Sequence, residues 1–139
     1  MKQKDKFRYA EKCLYNYKPN LACLEVLRGD LQIKRSGSDV HAQNYQSAFG
    51  FSGEPSSPVY SHVVSIETLE ERIKYLERLT NPISKLINDL TDDFLQILKL
   101  MYFEDNTQKK VMIELNIPRS TFIRKRYKLV SLTINYLGL

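Results

Sequence analysis

Apolar positions recur at intervals of three and four along most of this chain. Phe7, Tyr9, Ala10, Cys13, Leu14 and Tyr17 predict a helix over 5–17. Pro19 is expected to break or restart it, because a proline inside a helix removes a backbone hydrogen bond. Leu21, Leu24, Leu27 (or Val26) and Leu31 then keep helical spacing to about Lys34. The pattern lapses over 35–64. From Arg35 to His62 there are three glycines, seven serines and two prolines, the composition of a flexible linker or long loop. His41 and His62 fall in it and are expected to face solvent.

Helical spacing returns at Ser65, a good N-cap with acids in the turn that follows. Ile66, Leu69, Ile73, Leu76, Ile83, Ile87 and Leu90 keep a near-heptad register that only Thr80 interrupts. That is the narrow stripe of a helix packing on one partner helix. The strip Leu14, Leu21, Leu24 and Leu31 of the same chain is the first choice of partner, and a second chain the alternative. Asn81-Pro82 is expected to kink or restart the helix without changing its direction. Thr91-Asp92-Asp93 opens another helix, with Phe94, Leu95, Leu98, Met101 and Tyr102 inward, and Glu104-Asp105-Asn106 ends it. The expected fold is all-α: N-terminal helices over 1–34, a linker over 35–64, and a helical domain over 65–139 with a helix-turn-helix at 107–136.

The last of these elements carries the chemistry. Thr107 can cap a helix QKKVMIEL whose Val111 and Leu115 face inward while Lys109 and Lys110 face out. Asn116 stands where a sharp turn needs a left-handed residue, which Asn tolerates better than most. Ile117 fills the angle between the helices, and Pro118 suits the first position of the next one. Phe122 is the apolar anchor, facing back to Val111 and Leu115. Two helices joined by so short a turn suggest a DNA-reading helix-turn-helix. Arg119, Ser120, Ile123 and Arg124 are placed to meet base edges: arginine pairs with guanine, serine with any base, isoleucine with a thymine methyl. Lys125, Arg126 and Lys128, with Lys109 and Lys110, are placed to meet phosphates. Thr107 and Thr121 complete the candidate DNA-contacting set. The competing explanation is a helical hairpin with a solvated basic face. The closing stretch LVSLTINYLGL is apolar nearly all round, so this helix is expected to run to about Tyr136 and pack on the N-terminal helices or a second subunit.

Charge sharpens the picture. Net charge is +5, unevenly spread: residues 1–35 hold nine Lys/Arg and four Asp/Glu, residues 36–105 five and eleven, residues 106–139 seven and one. Basic ends on an acidic middle point to a polyanion partner. In the C-terminal block the lone acid is Glu114. The cysteines, Cys13 and Cys23, cannot make a disulfide framework or a zinc site and are expected to be buried small hydrophobes. With neither a membrane span nor an apolar leader in the sequence, a cytoplasmic protein is expected, in a bacterial host cell if the resemblance below holds.

From Thr91 onward the chain resembles region four of bacterial sigma factors and its phage relatives, through the core Thr107…Val111…Leu115-Asn116-Ile117…Arg119-Ser120-Thr121-Phe122. Over nearly its whole length it resembles the small ArpU and RinA-type regulators of phages and prophages of Gram-positive bacteria. The features are Tyr15–Tyr17, Leu24–Leu31, the serine-rich linker, Arg72–Leu79, Leu100–Asp105 and the closing Tyr-Leu-Gly-Leu. Met112 stands where such motifs usually keep alanine, and Pro118 where a Ser or Thr cap is usual. The resemblance implies a transcriptional activator of late phage genes, binding double-stranded DNA, with RNA polymerase a second candidate partner. A small terminase subunit recognising DNA for packaging is the alternative, and an adaptor binding RNA polymerase through the acidic 65–105 segment a third. No catalytic, phosphate-cradling or metal constellation stands out, so neither an enzyme nor a cofactor is expected. A monomer or a homodimer is expected, and no membrane partner.

Overall fold

The computed structural model describes residues 1–37 and 58–139, with side chains from residue 66 onward in the second segment. Among the described residues the fold is all-α, with no strand. The helices are α1 (Gln3–Arg35), α2 (Pro58–Asp89), α3 (Asp92–Ile97), which passes directly into a π-helix (Leu98–Phe103), α4 (Gln108–Leu115) and α5 (Arg119–Leu137). No helix among the described residues is long and apolar enough to cross a membrane. The chain forms two compact units, one of residues 1–21 with 78–139 and one of residues 22–77.

Two element boundaries differ from those the sequence predicts. Pro19 does not break the first helix, and α1 continues through it as one element. The carbonyl freed by the missing N–H belongs to Tyr15, four residues back and exposed, so water can satisfy it. Apolar contacts hold the helix to one core on both sides of the proline, Leu14 and Tyr17 before it and Leu21 after it. At Pro82, where the sequence leaves a kink or a restart open, α2 runs on as one element, and the orphaned carbonyl is that of the exposed Arg78. The start of α2 is Pro58, not Ser65, since a proline is pre-organised for a first helical turn. The predicted linker is thereby shortened at its C-terminal end. Residues 38–57, with His41, lie outside the described residues, as does the His62 side chain.

In the unit of residues 22–77, α1 and α2 run antiparallel. Leu24 and Leu31 pack against Leu69, Ile73 and Leu76, with Leu27 and Ile66 at the margin. The predicted seam is thus closed within one chain. Arg28 pairs with Glu77 at 3.1 Å and Arg35 with Glu70, framing the apolar strip with exposed ion pairs. Cys23 is exposed rather than buried, whereas Cys13 is buried and its thiol pKa is pushed up by that burial.

The larger unit is built around one core. Ala10, Cys13, Leu14 and Tyr17 of α1 meet Ile83 and Leu86 of α2, Ile97, Leu98, Met101 and Tyr102, Val111 of α4, and Phe122, Leu129, Val130 and Ile134 of α5. Leu86 takes the fully buried place, with Ile87 and Leu90 only partly buried beside it. Thr80, the one polar position in the heptad stripe, is 1% exposed. The Tyr17 and Ser84 hydroxyls hydrogen-bond at 2.8 Å, and Ser84 Oγ also donates to the Thr80 carbonyl at 3.1 Å, one turn before it around Pro82. After α3 the helix continues in π-helical form, with Leu98, Met101 and Tyr102 buried. It closes where Asp105 takes φ +56° and the Asn106 backbone N–H and side-chain amide both donate to the Leu100 carbonyl, at 3.1 and 2.9 Å.

Candidate nucleic-acid interface

The site is the pair α4 and α5 with the short connection between them. Thr107 caps α4, its hydroxyl accepting from the Lys110 N–H at 3.2 Å. Asn116 ends it in the left-handed conformation, φ 52° and ψ 49°. The Asn116 N–H donates to Ile113 O at 3.2 Å and the Ile117 N–H to Met112 O at 3.1 Å. This is a Schellman ending, with Ile117 and Met112 at the positions that share an apolar contact. Both are half-buried against the core. Pro118 is the cap of α5 rather than its first helical residue: its backbone is extended, and its carbonyl accepts from the Phe122 N–H at 3.0 Å. A proline side chain has no oxygen to cap with, so the α5 N-terminus has no side-chain cap. Phe122 and Val111 are both 0% exposed, which locks α4 to α5.

With Phe122, Leu129 and Val130 inward, helical spacing turns a second face of α5 outward. Arg119, Ser120, Ile123, Arg124 and Lys128 are all exposed. So are Thr107, Lys109 and Lys110 on or just before α4, while Thr121 is half-buried. Tyr127, which was not among the sequence candidates, joins this face at 59% exposure. Its place was legible, one turn beyond Ile123 and two turns beyond Ser120. Exposed Ile113 adds an apolar point at the turn, where a shallow hollow is lined by Lys109, Met112, Ile113, Asn116, Ile117 and Arg119.

Two of the predicted phosphate contacts are otherwise engaged. Lys125 is half-buried with its ammonium 3.6 Å from Asp93. Arg126 is turned inward. Its Nε and Nη2 donate to Glu11 Oε1 at 2.9 and 2.6 Å, and Tyr102 OH donates to the same oxygen at 2.7 Å. The Arg126 guanidinium lies 5.8 Å from the Phe7 ring centre. Burial works against its charge, but hydrogen bonds to Glu11 and Tyr102 more than offset this and hold its pKa above the ordinary value. Burial, then the hydrogen bond to Glu11, pushes the Tyr102 phenol far up as well. No acid near Arg126 in sequence balances it, because its partner lies 115 residues away. Arg126 is therefore a strut between α1 and α5. Lys128 is exposed, with its ammonium 5.8 Å from the Phe94 ring centre.

Neither a curated protein nor a solved structure matches the chain. A family model described as "Protein of unknown function (DUF722)" matches residues 30–134, which takes in α2 to α4 and most of α5, and the chain belongs to that family.

Proposed function

We propose that this protein is a sequence-specific double-stranded DNA-binding transcriptional regulator that inserts the first half of α5 into the major groove. The observation that carries this reading is the composition of the outward face of α5. Arg119, Ser120, Ile123, Arg124 and Lys128 are exposed together, with no acid among them, on a helix anchored by the fully buried Phe122. Each type has a counterpart on DNA: arginine for the guanine edge, serine for any base, isoleucine for the thymine methyl and lysine for a phosphate. Lys109 and Lys110, exposed in the first turn of α4, meet the backbone beside the groove. Lys125 and Arg126 are left out of the contact set because Asp93 and Glu11 occupy them.

The likeness of residues 107–122 to sigma factor region four, and of the chain to ArpU and RinA-type regulators, supports the same reading and extends it to activation of late phage genes. The test is a pair of variants on exposed residues. Arg124→Ala is expected to lose about 1–3 kcal/mol of discrimination between target and random DNA. Lys128→Ala is expected to weaken all duplexes by the same factor. Equal loss on target and random DNA for Arg124→Ala would remove it from base reading. A ring-sized assembly in sedimentation would favour the small terminase subunit instead.

A further inference from the structure

We infer that the first three turns of α1 form a second phosphate-binding strip, Lys4, Arg8 and Lys12, which grips the same duplex that α5 reads. The inference rests on the DNA-binding reading above. Phe7 and Glu11, one turn apart on α1, face α5: the Phe7 ring stacks on Tyr127 at 6.0 Å, and Glu11 holds Arg126. Ala10, Cys13, Leu14 and Tyr17 face the core. Helical geometry then puts Lys4, Arg8 and Lys12 in a line beside Phe7 and Glu11, on the side turned away from that core. All three are exposed. No carboxylate among the described residues lies within ion-pair distance of any of them. A rise of about 1.5 Å per residue spaces their attachment points about 6 Å apart over about 12 Å.

The position of this strip matters as much as its charge. Tyr127 shares the outward face of α5 with Ile123 and Arg124 and is also the residue Phe7 stacks on. The strip is thereby fixed alongside the proposed reading face by a ring stack and an ion pair. The opposite flank of α5 is acidic, with exposed Asp92 and Asp93 at the start of α3 and Lys125 held by Asp93. A duplex lying across α5 is repelled on that side and attracted on the α1 side. Asp5 is the one exposed acid in the first turns of α1, outnumbered by its neighbours. The strip lies outside residues 30–134, the part of the chain the family model matches.

The experiment compares the full chain with a Lys4→Gln/Arg8→Gln/Lys12→Gln variant on target and random duplexes over a range of salt. The variant is expected to bind both less tightly by the same factor. Its slope of log affinity against log salt should be shallower by about 2–3, the value for three lost phosphate contacts. In a second measurement on the unaltered chain, bound duplex should protect Lys4 and Lys12 from acetylation while leaving the exposed Lys74 and Lys85 of α2 reactive. An unchanged slope, or Lys4 and Lys12 equally reactive with and without DNA, overturns the strip. If Arg124→Ala still relaxes specificity in that case, the α5 reading stands alone. If the unaltered chain binds no duplex, both fall.

Discussion

Arg126→Ala separates a residue that holds the site together from one that touches DNA. The substitution removes two charge-assisted hydrogen bonds to Glu11 Oε1, at 2.9 and 2.6 Å. Hydrogen bonds to charged groups contribute about 1.5–3 kcal/mol each. These two share one acceptor, so their sum is an overestimate. The Glu11 carboxylate that remains is 16% exposed, too little for water to replace the guanidinium fully, although Tyr102 still donates to it. Loss of the contact with Phe7 adds about 0.5–1 kcal/mol. Together these give a destabilisation of about 2–4 kcal/mol, a fall in melting temperature of roughly 10 °C for a chain of this size. Glu11→Gln keeps an acceptor for both donors and is expected to cost less than Arg126→Ala. Thermal unfolding followed by circular dichroism reads the stability, and DNA titration at several salt concentrations reads the contact. A phosphate contact would contribute about 0.9 to the salt slope, a strut nothing. Arg126→Ala with an unchanged melting temperature and a slope shallower by about that amount would refute the strut.

Phe122→Ala is expected to cost about 3–5 kcal/mol, because the fully buried ring packs in the core shared by α1, α4 and α5. Normal melting with lost DNA binding would contradict its inward position. Asn116→Val should destabilise by about 1–2 kcal/mol, since a β-branched residue is strained at φ 52°, whereas Asn116→Gly should be tolerated; urea unfolding compares them. The raised pKa of Tyr102 favours the neutral phenol in the folded state, so its contribution is intact below pH 10, the ordinary tyrosine value, and declines above it. Tyr102→Phe should flatten that alkaline loss in a series of melting temperatures, and an identical decline in both proteins would show that Tyr102 is not its source.

The local features were legible because each is decided within a few residues. Thr107 as a cap, Asn116 in the left-handed turn and Phe122 facing Val111 follow from backbone geometry and spacing. Heptad register left the partner of Leu69, Ile73 and Leu76 open between this chain and a second one, and the apolar strip with Leu24 and Leu31 made the seam within one chain the first choice. Pro19 misled, because the rule that a proline ends a helix assumes that the freed carbonyl has nothing to bond. Here that carbonyl belongs to the exposed Tyr15, and Leu14, Tyr17 and Leu21 pack in the core on both sides of the proline. The π-helical turn was hidden because Leu98, Met101 and Tyr102 also fit ordinary α spacing. The Arg126 strut could not be read at all. Its sequence neighbours are basic or apolar, and the carboxylate that claims it lies on α1, at the other end of the chain. The same blindness made the basic block look wholly free, although Lys125 and Arg126 are engaged and the exposed face is narrower by two cations.

The most direct test of the central claim is the salt dependence of duplex binding by the full chain. Lys109, Lys110, Arg119, Arg124 and Lys128 remain exposed on α4 and α5. If Lys109, Lys110 and Lys128 reach phosphates while Arg119 and Arg124 reach base edges, the slope of log affinity against log salt should be roughly −3, and steeper by about 2–3 with the α1 strip engaged. A target fragment should be bound more tightly than random DNA at every salt concentration. Affinity that does not change with salt, or no detectable binding to duplex DNA at low salt, would contradict the account.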